Sequence, residues 1–165
     1  MKNVQLPKQI VDRLEERIND EYTAHYFYRN AANYCENVGY LAAASFFSRE
    51  ADSELEHAKK VQKFLLDWNI QPNLKTIASP EAFSSLVDII EKGYTIEYDL
   101  LESYNEDAVF FLGQKNISSF NLATSFVEHQ TESVAEFATL KDRLELIDTK
   151  DKSWLYQFQL EEFEA

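Results

Sequence analysis

With 165 residues, 45% of them hydrophobic, the chain is long enough for one domain with a proper core and too short for two of comfortable size. A formal net charge of -13, with no Lys/Arg cluster interleaved with aromatics, excludes nucleic acid as a partner and favours cations. The longest apolar run, Leu41 to Ala44 with Phe46 and Phe47 past Ser45, is far below the roughly 20 residues that span a bilayer, so no membrane partner is expected.

Only three Gly and three Pro punctuate the chain, which favours long helices over hairpins. The single cysteine, Cys35, has no partner for an intrachain disulfide, and Met1 to Pro7 runs into charged residues without a signal-type apolar region. Both point to a reducing cytoplasm.

Apolar residues recur at three-and-four spacing in four long segments. The first is predicted over about 7–37, starting at Pro7, with the stripe Leu14, Ile18, Glu21, His25, Tyr28, Ala32 and Cys35. The second, about 39–69, carries Ala44, Phe47, Ala51, Glu54, Ala58, Val61, Leu65 and Trp68 on one face. Residues 70–80, with Pro72 and Pro80, form a long connection. The third helix, about 79–112, reads Leu86, Ile90, Gly93, Glu97, Leu101 and Tyr104 and stops at Gly113. The fourth, about 118–147, reads Phe126, Gln130, Ser133, Phe137, Leu140 and Leu144. A short fifth, about 153–163, holds Trp154, Leu155, Phe158 and Leu160 and is expected to pack across an end or a neighbour.

The connections at 38–40 and 113–117 are short enough only for antiparallel neighbours. A helix of about 28 residues is roughly 42 Å long and about 12 extended residues reach roughly 40 Å, so the 70–80 segment can travel the whole bundle. Helices two and three are then parallel. The predicted fold is an all-α four-helix bundle with one long crossover and a short C-terminal fifth helix, a single domain over residues 1–165.

Each stripe is interrupted by one polar group: Glu21, Glu54, Glu97 and Gln130. Buried carboxylates cost several kcal/mol each, roughly, when unpaired, and His57 is the only evident base at their level. Bound metal resolves the conflict. Glu54-Leu55-Glu56-His57 places an oxygen and a nitrogen donor one turn apart, a weak pattern alone but a constraining one between Glu21 and Glu97. Oxygen donors with one imidazole suit Fe, Mn or Zn, with iron first. Two ions about 3.5 to 4 Å apart could share Glu54 as a bridge, Glu21 and His57 completing one and Glu97 and Gln130 the other.

Tyr28, seven residues after Glu21 on the same face, could hydrogen-bond a ligand, give up an electron, or simply fill the core. His25 and His129 each lack a Glu three residues earlier; His25 reads as a core-edge histidine and His129 as exposed. Cys35 reads as core filler.

From Leu14 to about Leu160 the chain resembles the non-haem ferritins: Glu21-Tyr22, Tyr28, Glu54-x-x-His57, Glu97 and Gln130 match that family's ferroxidase centre in type, order and spacing. The resemblance implies a ferritin-like bundle, a homo-oligomeric hollow shell of about twenty-four subunits, Fe(II) oxidation with O2 or peroxide, and storage of ferric oxyhydroxide. It assigns Glu21, Glu54 and His57 to one iron, Glu97 and Gln130 to the second, and makes Tyr28 the centre-adjacent tyrosine. Many bacterial members carry extra carboxylates for a third iron where this chain has Ser53, His129 and Ser133; only Glu132 of that set remains, so a third site is unsupported. No acidic residue lies between Gln114 and Val127, so the acidic three-fold channel of animal ferritins is unsupported too. Met1 is the sole methionine and no Cys pair exists, which argues against haem and against a rubredoxin-type site. Two other readings use the same residues: a di-metal oxidase or oxygenase on an organic substrate, which needs an apolar channel reaching Glu97, and a non-catalytic shell subunit, against which the intact ligands argue.

Overall fold

A computed structural model describes residues 5–163. Met1 to Val4, part of the stretch read above for the absence of a signal-type region, lie outside them. Five helices follow one another: α1 Lys8–Asn37, α2 Leu41–Asp67, α3 Leu86–Gly113, α4 Ile117–Leu144 and α5 Lys152–Phe163. Among the described residues there is no strand, and no helix is long and apolar enough to cross a membrane.

Side-chain pairs across the helices fix their directions. Along α1, Tyr22, His25 and Arg29 meet Gln62, Ala51 and Ser48, so α2 runs back along it. Arg13, Glu21 and Tyr28 of α1 meet Asp107, Tyr104 and Glu97, so α3 is antiparallel to α1 as well. Helices α2 and α3 are therefore parallel, and residues 68–85 must return the chain from one end of the bundle to the other. This crossover runs beside α1: Asn73 N–H donates to Glu15, Asn30 donates to the Glu81 carbonyl, and Phe83 meets Phe27 and Tyr34 edge-on.

The third helix begins at Leu86 and not at 79, for two physical reasons. Phe83 is committed to α1, so it is not available to the α3 stripe. Ser85 sits in extended backbone and its side chain accepts from Asp88 N–H, while the Asp88 carboxylate accepts from Ser84 N–H, a reciprocal cap that fixes the first turn. At the other end the left-handed residue is Lys115 and not Gly113, which lies within the helix. Helix α4 stops at Leu144, short of the expected 147, because Leu146 and Ile147 turn tightly back onto Arg143 and Leu144. Within the α3 stripe Leu100 is in the core instead of Leu101, and Asp107 joins it, held by Arg13 at 3.0 Å and Arg17 at 3.7 Å.

Helix α5 packs across the start of α2. Phe163 lies against Phe46 and Phe47, and the buried Gln159 accepts from Ala43 N–H at 3.1 Å. That amide belongs to the first turn of α2, which has no side-chain cap of its own at Tyr40.

Gly93 lets α4 close on α3: a Cβ there would sit 2.5 Å from the Phe137 ring. That ring is buried between Tyr28 and Phe46, so it has little room to yield. Overpacking of this kind costs about 1–3 kcal/mol, against a helix-propensity gain of about 1 kcal/mol for Gly→Ala. Gly93→Ala is expected to lower the melting temperature and Phe137→Leu in the same chain to restore part of it; an unchanged or higher value for the single variant would show the ring to be free.

Candidate metal centre

Four helices converge on one level of the bundle, where α1 brings Glu21, α2 brings Glu54 and His57, α3 brings Glu97 and α4 brings Gln130. The three glutamates and the glutamine are at most 1% exposed. His57 lies at the edge, its Nδ1 3.3 Å from Glu54 Oε2 and 3.6 Å from Glu21 Oε2. Donor atoms fall into two groups within 4.8 Å, Glu21 with Glu54 and His57, and Glu50 with Glu54 and Glu97. Glu54 belongs to both.

The periphery of each carboxylate is held by hydrogen bonds. Tyr104 OH donates to Glu21 Oε1 at 2.6 Å, and Tyr28 OH donates to Glu97 Oε1 at 2.5 Å. Gln130 Nε2 donates to Glu97 Oε2 at 2.7 Å and to the Glu97 carbonyl at 3.1 Å. Burial and the neighbouring carboxylates push both phenols well above their usual range, so they remain protonated donors. Pointing inward, Glu21 Oε2, Glu54 Oε1 and Gln130 Oε1 are buried without a hydrogen-bond partner. Buried acceptors without donors are what a cation would satisfy. The nearby Arg17 does not serve, because it is engaged by Asp107, Asp20 and Glu16.

Electrostatics separate the carboxylates. Burial and the Glu21 charge push Glu54 well above the usual range, whereas Glu21 is held below it, its burial outweighed by the nearness of Glu54, His57 and Tyr104. Glu97 is raised by burial, which its bonds to Tyr28 and Gln130 only partly offset. Glu50, half-buried, is pushed up to about 7 by burial and by the charges of Glu97 and Glu136.

All six predicted residues, Tyr28 included, come together here, and two more join them that the sequence reading missed. Glu50 lies one turn before Glu54 on α2, a spacing that places both on one face. Tyr104 had been assigned to the core stripe; it stands seven residues after Glu97 as Tyr28 stands seven after Glu21, and because α1 and α3 are antiparallel each phenol reaches the other helix's carboxylate. His129, expected to be exposed, is half-buried with its ring 4.4 Å from that of His57. His25 is at the core edge, its Nδ1 2.6 Å from the Ala51 carbonyl. Of the residues at the third-site positions, Ser133 is buried, Ser53 half-buried and Glu132 exposed. Cys35 is fully buried and its thiol is pushed up to about 12.

A family model described as Ferritin-like domain matches residues 11–147. A bacterial non-heme ferritin of Campylobacter jejuni is 32% identical over 143 residues, 86% of each chain. One of Staphylococcus haemolyticus is 26% identical over 157 residues, 94% of this chain and 95% of that one. Among solved structures, an open pore ferritin from the archaeon Archaeoglobus fulgidus aligns with a TM-score of 0.87 at 20% identity, over 97% of this chain and 98% of its own. A humanized archaeal ferritin aligns with a TM-score of 0.90 at 23% identity, over 98% and 99%. At those identities the structural matches bear on the fold alone.

Metal-free protein should reveal the raised carboxyls. Glu50 moves from the ordinary 4.5 to about 7, so between these values the folded chain holds a proton that the unfolded chain has released. Its contribution to stability therefore falls as pH rises through that window. Melting temperatures in chelator should drop with rising pH more steeply for the native chain than for Glu50→Gln; parallel profiles would contradict the assignment.

Proposed function

Because the chain belongs to the ferritin-like domain family, we propose that it works as a non-haem ferritin: it takes up Fe(II) as substrate at paired positions, oxidises it with O2 or peroxide, and stores ferric oxyhydroxide inside a hollow shell of about twenty-four copies in the cytoplasm. The observation that carries this reading is the set of inward-facing oxygens on Glu21, Glu54 and Gln130 that have no donor.

In this reading Glu21, Glu54 and His57 hold one Fe(II), and Glu54, Glu97 and Gln130 hold the other, with Glu54 as the shared ligand. O2 takes one electron from each ion and two protons from water, leaving as hydrogen peroxide, while both ions become ferric. The carboxylates favour the more highly charged product and so lower the barrier to oxidation. Tyr104 and Tyr28 hold Glu21 and Glu97 in the orientation that metal needs, before any metal arrives. The rings of Tyr28, Tyr104, Phe126 and Phe137 are buried around the ligands, packing that argues against an oxidase of organic substrates.

Stopped-flow absorbance after mixing Fe(II) with aerated protein should show a fast ferric phase in the native chain. Glu54→Ala and His57→Ala should each slow it by more than about tenfold; persistence of the fast phase in both would overturn the reading. Tyr104→Phe removes the hydrogen bond to Glu21 Oε1 and should weaken metal affinity about tenfold while leaving the donor set intact. Unchanged Co(II) titrations of that variant would reduce Tyr104 to a packing role.

A further inference from the structure

We infer that Glu50 is a ligand of the second metal position, a carboxylate donor beyond Glu54, Glu97 and Gln130. The inference rests on the reading of the centre as a pair of metal positions.

Glu50, Glu54 and Glu97 each offer an oxygen within 4.8 Å of the others, close enough for one cation to touch all three. Glu50 and Glu54 stand one turn apart on α2, the same projection that brings Glu54 and His57 to the first position from the other side. Proximity of acidic groups would not by itself define a site. Here Glu54, 1% exposed, carries an oxygen, Oε1, with no hydrogen-bond partner, while its other oxygen, Oε2, lies 3.3 Å from His57. Gln130 Oε1 is buried and unpartnered as well, and its amide nitrogen is fixed on Glu97. Two acceptors without donors thus accompany the Glu50 cluster.

The supply of free donor oxygens supports the same assignment. The first position has Glu21, one of whose oxygens, Oε2, accepts no hydrogen bond among the described residues, plus the shared Glu54 and the His57 imidazole. Without Glu50, the second has Glu97, the shared Glu54 and a neutral amide, and both oxygens of Glu97 already accept hydrogen bonds from Tyr28 and Gln130. An additional carboxylate makes good what those bonds withdraw from the ion. Glu50 is also half-buried where the other three glutamates are enclosed, so it is the one carboxylate of the centre that borders solvent.

The test uses Zn(II), a redox-inert probe, on the intact assembled protein stripped of metal. Calorimetry of the native chain should resolve two binding events per chain, and anomalous diffraction at the zinc edge should place the Glu50 carboxylate within bonding distance of the second ion. Glu50→Gln, nearly the same in shape, should weaken the second event at least about tenfold and leave the first unchanged. His57→Ala should do the reverse. A second zinc lying beyond reach of Glu50, or an unaltered second event in Glu50→Gln, would overturn this inference and leave the proposed function standing. No zinc at either position would overturn both.

Discussion

Three carboxylates and one imidazole share a space from which water is almost excluded, and the packing of the bundle is organised around that repulsion. Like charges a few ångströms apart in a medium of low dielectric repel strongly. The chain responds in three ways. Burial pushes the Glu54 carboxyl well above its ordinary range, two phenols and one amide donate to oxygens of Glu21 and Glu97, and Glu21 Oε2, Glu54 Oε1 and Gln130 Oε1 have no partner among the described residues. A core that wanted only stability would place leucines at these positions. Holding the donors on four helices fixes their spacing far better than loops would.

The phenol cross-pairing shows how topology becomes chemistry. A tyrosine seven residues after a glutamate lies on the same helical face but about two turns away, too far to serve its own glutamate. Antiparallel α1 and α3 bring each tyrosine level with the glutamate opposite, so one spacing used twice supplies both donors. The long crossover has a related consequence: it sets α2 and α3 parallel and lets each of α1 to α4 meet two others of opposite direction around the centre. Nearby, Asp107 occupies Arg17 and Arg13, keeping cationic side chains from neutralising the glutamates directly.

Most of this organisation was legible in the sequence, since single polar residues on long apolar stripes are conspicuous when Gly and Pro are scarce. Glu21, Glu54, His57, Glu97 and Gln130 stand out for that reason, and the crossover follows from loop length. Less visible were features that depend on partners remote in sequence. Tyr104 looks like any core aromatic until α1 is placed beside it, and nothing in the sequence marks Glu50 until Glu97 is set within reach. Helix α3 begins later than expected because Phe83 is drawn to Phe27 and Tyr34 and Ser85 caps the first turn. His129 was read as solvent-facing because periodicity alone cannot show that the His57 ring provides it with a neighbour.

The hydrogen bond from Ala43 to Gln159 spans 116 positions of chain and joins the last helix to the first turn of the one bearing Glu50, Glu54 and His57. That helix does not secure its own beginning, so its rigidity is borrowed from the C-terminal segment. A force on α5, whether from a neighbouring copy or from loss of the tail, is transmitted through this bond and the packing of Phe163 on Phe46 and Phe47 to the stretch of α2 just ahead of Glu50. Mechanical integrity of the carboxyl end and fidelity of the donor geometry are thereby one property rather than two.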